Sequence, residues 1–289
     1  MLDYILIILA VVLLAGNFAI TKLFQLKAGA GIVASLVFNA ITGIFTVVLM
    51  WSINGFRIEI TGFSLLMAFL MKMSVTLYTL IGFRMMAGGQ MMVYTMFLMA
   101  GGMTVPYVWG IFALGEKFSL LRLLGLVLII AGVIFSNYSK EKLSWRYICM
   151  GVAVFFLNGI TSVTSKLHQI ETRAATVNDY SFVALTGAIG FVFCGLMLLF
   201  VRKKNATLKK IPWKAGVLIG LGSALLSGVS FLFQLIGASN LPATVLYPMI
   251  TGGAVVFTAL AARLFFREKL TKPMMLGLVF CFAGTCCFL

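Results

Sequence analysis

Ten apolar stretches follow one another along this chain, each close to the ~20 residues that a helix rising ~1.5 Å per residue needs to cross a ~30 Å hydrocarbon core. Divided at the Gly, Pro and charge clusters between them, they run over 4–26, 30–53, 61–83, 90–114, 120–137, 145–169, 179–201, 214–238, 242–265 and 273–289. With 62% apolar and only 10% charged residues, the sequence lies far from soluble domains, where roughly 25% charged is usual. The reading is an all-α integral membrane protein of ten transmembrane helices, with the lipid bilayer as its solvent. The first stretch has no basic segment before it and no small-residue cleavage site, so it reads as a retained helix. The longest polar connection, 202–214, is too short to be a domain.

Self-comparison exposes a duplication. Residues 115–125 (GEKFSLLRLLG) align with 267–277 (REKLTKPMMLG), and Gly132 aligns with Gly284, both at a displacement of 152. Earlier in each half, 22–25 (KLFQ) align with 166–169 (KLHQ) at a displacement of 144. The chain therefore divides into two five-helix repeats, 1–139 and 140–289. An odd number of helices per unit makes the second copy enter the membrane from the opposite side. Many secondary transporters share this inverted-repeat plan and bind substrate near the midplane between repeats.

The net charge of +15 comes from 22 Lys+Arg against 7 Asp+Glu. In a soluble protein it would suggest nucleic acid, but the basic residues sit between apolar stretches, where they act as topology signals and headgroup contacts. No nucleic-acid partner is expected. One membrane face carries Arg57, Lys117, Arg122 and Arg173, and the other carries most of the rest, including Arg202, Lys203, Lys204, Lys209, Lys210 and Lys214. By the positive-inside rule both termini lie outside the cytoplasm.

The Glu-Lys turn followed by a Gly-Leu-x-x-x-x-Ala-Gly helix, present in both repeats, resembles the drug/metabolite transporter (DMT) superfamily in its EamA-type ten-helix branch. Residues 247–252 (YPMITG), 265–271 (FFREKLT), Pro273 and Gly277, in helices 9 and 10 of this chain, also resemble the last two helices of the small multidrug resistance proteins. The resemblance implies a multi-pass carrier of a bacterial-type inner membrane, working by alternating access. It usually also implies cytoplasmic termini, against the charge count. Small multidrug carriers place a Glu eight residues before a Lys near the end of the first helix, where it binds proton and cationic drug. At that spacing this chain has Leu14 before Lys22 and Asn158 before Lys166. Its acidic residues Asp3, Glu59, Glu116, Glu141, Glu171, Asp179 and Glu268 all lie at helix ends or in connections.

Lys72 stands near the centre of the third helix, too deep for easy snorkelling. A cation there costs at least ~2.5 kcal/mol on insertion scales, so it marks a substrate path or is buried as a structural lysine. Ser74, Thr76 and Tyr78 are its polar neighbours in sequence. Asn17 and Asn158 offer donor and acceptor together, suiting a zwitterionic or amide-bearing ligand or serving as polar glue between helices. Tyr94 and Tyr247, with Tyr107, Trp109, Phe231 and Phe233, are candidates to line a cavity or simply to pack. Pro106 and Pro248 fall inside helices, where proline removes a backbone hydrogen bond. With Gly101-Gly102 and Gly252-Gly253 nearby, they are candidate kinks or gates, though close packing explains the glycines equally well. Lys22 and Lys166 read as snorkelling anchors, and His168, the sole histidine, as an interfacial polar residue.

Cys149, Cys194, Cys281, Cys286 and Cys287 read as small buried hydrophobes with no metal-site spacing. No nucleophile–base pair, metal cluster or phosphate-binding loop is visible, so neither an enzyme nor a cofactor is expected. The expected function is a secondary transporter moving a small neutral, zwitterionic or anionic metabolite. The alternatives are a flippase of a lipid-linked headgroup, a multidrug exporter, or a scaffold that transports nothing. No oligomeric state is encoded, and a monomer suffices.

Overall fold

The computed structural model describes residues 2–29, 31–87, 91–136, 144–201, 213–267 and 271–289. Among them are ten helices and no strand: α1 (Leu2–Ala28), α2 (Ile32–Ile53), α3 (Gly62–Ala87), α4 (Met91–Leu114), α5 (Leu120–Ser136), α6 (Trp145–Ile170), α7 (Asp179–Phe200), α8 (Trp213–Asn240), α9 (Ala243–Phe266) and α10 (Lys272–Cys286). The 202–214 connection falls almost wholly outside the described residues. Eight of these helices are long and apolar enough to span a bilayer. The other two, α5 and α10, have 17 and 15 residues. At 1.5 Å per residue they reach only about 25 and 22 Å. They cross as a pair, packed closely on each other.

That pair is held by the glycines of the duplicated motif. A Cβ on Gly284 would lie 2.7 Å from the carbonyl oxygen of Gly125, and one on Gly132 would lie 2.6 Å from that of Gly277. Gly43 of α2 and Gly187 of α7, separated by 144 residues, make the same kind of contact: a Cβ on Gly43 would lie 2.7 Å from the Gly187 oxygen. In lipid no hydrophobic force drives helices together, so small residues that let backbones approach supply the packing. The remaining pairings are reciprocal. Helix α1 packs on α8 and α9, as α6 packs on α3 and α4, while α2 meets α7 and α4 meets α9. Helix α9 is central, with Ala243 through Ile250 all buried.

The turn after α4 and the turn after α9 share a backbone conformation. Gly115 has φ +65°, and its counterpart Arg267 has φ +53°. Left-handed φ is free for glycine but strained for a residue with a Cβ, by roughly 1–2 kcal/mol. Arg267→Gly is therefore expected to raise stability by about 1 kcal/mol, read as an upward shift of the unfolding midpoint in detergent. An unchanged or lowered midpoint would mean that the arginine side chain compensates the strain.

Consecutive helices cross in alternate directions. Residue 2, the connections 54–61, 115–119, 171–178 and 241–242, and residue 289 thus share one face of the bundle, here the terminal face. It is laced with polar contacts. Asn54 donates to Arg57 O (2.7 Å), Glu59 N donates to Ser181 Oγ (3.0 Å), and Asn240 Nδ2 donates to Asp3 Oδ1 (2.8 Å). Asn178 caps α7 by accepting from Ser181 N at 2.8 Å.

Candidate functional site

Two of the residues expected to be interfacial are buried at the terminal face. Lys166 is 4% exposed, and its ammonium donates to the carbonyls of Ala238 and Leu241 (2.7 Å to the latter) at the end of α8. It does not snorkel, because the α8–α9 turn covers it and offers carbonyls that no helical N–H uses. His168 is 2% exposed, stacked on Phe182 with ring centroids 3.7 Å apart, and joined through Nε2 to Ser64 Oγ at 2.9 Å. Lys22 keeps its place nearer the opposite face, with its ammonium 4.6 Å from the Phe266 ring centroid.

The same α8–α9 turn is gripped from its other side. Glu116, from the Glu-Lys turn of the first repeat, accepts from Ala243 N (2.6 Å) and Thr244 N (2.8 Å), the first amides of α9. Gly110 leaves room for it, since a Cβ there would lie 2.8 Å from Oε2. A carboxylate on a helix N-terminus and an ammonium on a helix C-terminus both match the helix dipole. The sequence singled out Glu116 as part of the repeat, but nothing in it names the amides that the carboxylate binds.

Deeper in the bundle, a polar seam joins α4, α6 and α9. Pro106 has no N–H to give the Gly102 carbonyl one turn earlier. Ser162 of α6 supplies the missing donor, with Oγ 3.1 Å from Gly102 O. Asn158, one turn away on α6, donates Nδ2 to Leu98 O at 2.7 Å. Tyr247 of α9 donates to Ser162 O at 2.6 Å. The structure thus brings Asn158, Tyr247, Pro106 and Gly101 together, with Gly101 pressed on the Phe155 backbone. Ser162, which sequence reading passed over, sits one helical turn after Asn158. Gly252 and Gly253 pack against Ile129 and Thr285 and against Val11, and Pro248 is buried beside them in α9.

The other expected site residues lie elsewhere. Asn17 belongs to an α1–α8 seam, where its Oδ1 accepts from Ser223 Oγ (2.6 Å) and Ser230 Oγ donates to Ala10 O (2.7 Å). Tyr78 and Tyr94 pack with Met85, Val93 and Val154 where α3, α4 and α6 approach the opposite face. Phe231 packs against Phe182, and Tyr107 is buried in the cluster around α9. Trp109 lines a groove of about 420 Å³ between α4 and α6 with Thr104, Val105, Val108, Phe112, Ala113, Phe155 and Phe156. The groove faces outward, as the 84% exposure of Phe112 shows, and Lys72 is not part of its lining.

Lys72 stands about 15 Å along α3 from Gly62 at the helical rise. It is half-buried and directed at α7, where a Cβ on Gly190 would lie 3.6 Å from its Nζ and where Cys194 is the next neighbour. Its ammonium has no hydrogen-bond acceptor among the described residues. The described residues hold no cluster of three His, Cys, Asp or Glu able to bind a metal.

Ten apolar helices joined by internal polar seams define a multi-pass membrane protein. Residues 145–289 match the EamA-like transporter family, and the chain belongs to it. That family lies within the drug/metabolite transporter superfamily, and its members are transporters of small substrates and not enzymes. A solved crystal structure shares the fold, with a TM-score of 0.75 over 99% of this chain and 95% of the other at 13% identity. No curated protein matches the sequence.

Proposed function

We propose that this chain is a secondary carrier moving a small neutral, zwitterionic or anionic metabolite across a cell (inner) membrane by alternating access. The moving units are the two five-helix repeats, 1–139 and 140–289. The observation that carries the reading is the reciprocal packing, α1 on α8 and α9 against α6 on α3 and α4, with paired glycines where α2 meets α7 and α5 meets α10. Two units related in this way can rock about those contacts while a site between them faces either side. Asn17, Asn158 and Tyr247 hold the seams between helices, and Lys72 is left to meet the substrate. Purified protein in liposomes, loaded with a metabolite pool and tested for counterflow of labelled solutes, tests the proposal. Solute-specific exchange supports a carrier, and its absence across the pool overturns it.

The outward α4–α6 groove favours a lipid-handling reading as the second choice, because its apolar walls suit an acyl chain. Headgroup recognition would then need a polar group in the groove, and Lys72 lies elsewhere. Scrambling of a labelled phospholipid in the same liposomes separates the two.

Coupling through a mid-membrane carboxylate, as in small multidrug carriers, does not fit a chain with Leu14 and Asn158 at the matching positions. Quaternary ammonium dye is therefore expected to stay put under an imposed pH gradient, and robust gradient-driven efflux would contradict this. For orientation, the basic 202–214 connection is placed in the cytoplasm and the terminal face outside it. A single cysteine introduced at Lys209 in a cysteine-free background should resist an impermeant thiol reagent in intact cells. Ready labelling would reverse the assignment.

A further inference from the structure

We propose that Lys72, with the side-chain-free Gly190 facing it, forms a subsite between α3 and α7 for a singly charged anionic group, of the kind a free monocarboxylate carries. The inference rests on the carrier reading and names the class of substrate that reading leaves open.

Charge balance is the first support. The described acidic residues, Asp3, Glu59, Glu116, Glu171 and Asp179, sit at helix termini or in connections of the terminal face. Glu116 and Asp3 are already engaged, by the amides of α9 and by Asn240. None stands at the depth of Lys72. Lys166 shows how the same fold treats a lysine whose role is structural: it is 4% exposed, and two carbonyls accept hydrogen bonds from its ammonium. Lys72 differs on both counts, being only partly buried and without an acceptor among the described residues. The threonine hydroxyls that follow it turn back onto their own helix, Thr76 Oγ1 donating to Lys72 O (2.9 Å) and Thr79 Oγ1 to Val75 O (2.7 Å).

The facing helix is the second support. Gly190 presents only backbone to the ammonium, since a Cβ there would already touch Nζ at 3.6 Å, so no α7 side chain at this position competes with a ligand for the charge. One cation with one open side balances one negative charge, which favours a monoanion over a dianion. In a medium of low dielectric that single pairing is worth far more than it would be in water. A lipid headgroup offers the same charge but belongs near the bilayer surface, about 15 Å from this depth along the helix. The free solute is therefore the source named here.

The test uses the full-length protein in uncharged lipid, with thermal unfolding as the readout. A panel of small monocarboxylates is compared with their amides, and counterflow follows for any solute that stabilises. A ligand at a hundred times its Kd stabilises by RT ln(1 + [L]/Kd), enough to shift the midpoint by several degrees. At least one carboxylate should shift the unmodified protein while its amide does not. Lys72→Met, which keeps the apolar stem, should remove that difference. So should Gly190→Leu, which keeps the charge and sets a side chain against it, leaving Lys72→Arg with a partial response. Carboxylate preference that survives both Lys72→Met and Gly190→Leu overturns the subsite, even where counterflow upholds the carrier. A response to anionic lipid alone, with none to any free carboxylate, overturns it as well. Absence of counterflow for every solute in the unmodified protein instead strikes the carrier reading itself.

Discussion

Glu116→Ala is expected to cost about 3–7 kcal/mol, enough to lower the unfolding midpoint in detergent by many degrees and to reduce the folded yield. Two amide N–H groups, those of Ala243 and Thr244, lose a charged acceptor at 2.6 and 2.8 Å. Hydrogen bonds to charged groups contribute about 1.5–3 kcal/mol each, and the charge at the helix N-terminus adds a further ~0.3–1 kcal/mol. Water cannot easily replace the carboxylate, because α9 begins with a run of buried residues. Glu116→Gln should fall between the two, since its carbonyl accepts from one amide while its NH₂ group faces the other. A midpoint for Glu116→Ala within a degree of the unmodified protein would show that the turn is held by Lys166 and packing alone.

The second large effect is expected where α5 crosses α10. Leucine at Gly132 or Gly284 places a side chain where backbone oxygen stands 2.6–2.7 Å from the Cβ. Backbone cannot move aside as the end of a side chain can, so the helices must separate. Overpacking a well-packed contact costs about 1–3 kcal/mol, and more when a whole interface parts. These two helices are the shortest in the bundle and lean on each other, so loss of monodisperse protein on size-exclusion chromatography is the expected readout. Gly195→Leu serves as the control, because nothing stands within 4 Å of a Cβ there. Normal behaviour of Gly132→Leu and Gly284→Leu would show that the pair tolerates a wider spacing.

Length and apolarity made the ten helices legible, and the 152-residue displacement pointed to the glycines that turned out to touch. What the sequence withheld was direction around each helix. A helix in water shows its buried face as an apolar stripe, but these helices are apolar all round, so no stripe tells which side meets a neighbour. That is why Tyr94, grouped with Tyr247 by residue type, lies in a separate cluster beside Tyr78. Counting residues from a helix end also gave Lys166 and His168 a depth but not a cover. The α8–α9 turn that hides Lys166 and the Phe182 ring that stacks on His168 come from distant parts of the chain. Lys72 was the exception: its depth alone singled it out, because a cation so far from either end of an apolar helix needs a reason wherever it points.

The hydroxyl that Ser162 lends to Gly102 has a mechanical consequence. A carbonyl stripped of its partner inside hydrocarbon costs several kcal/mol, with no water to take over. Proline would ordinarily make α4 a free joint at this point, but here bending it away from α6 exposes that oxygen. Tyr247 ties α9 to the same serine. The three helices, one from the first repeat and two from the second, are thus latched together through Ser162, and rocking one repeat against the other has to exchange both of these hydrogen bonds.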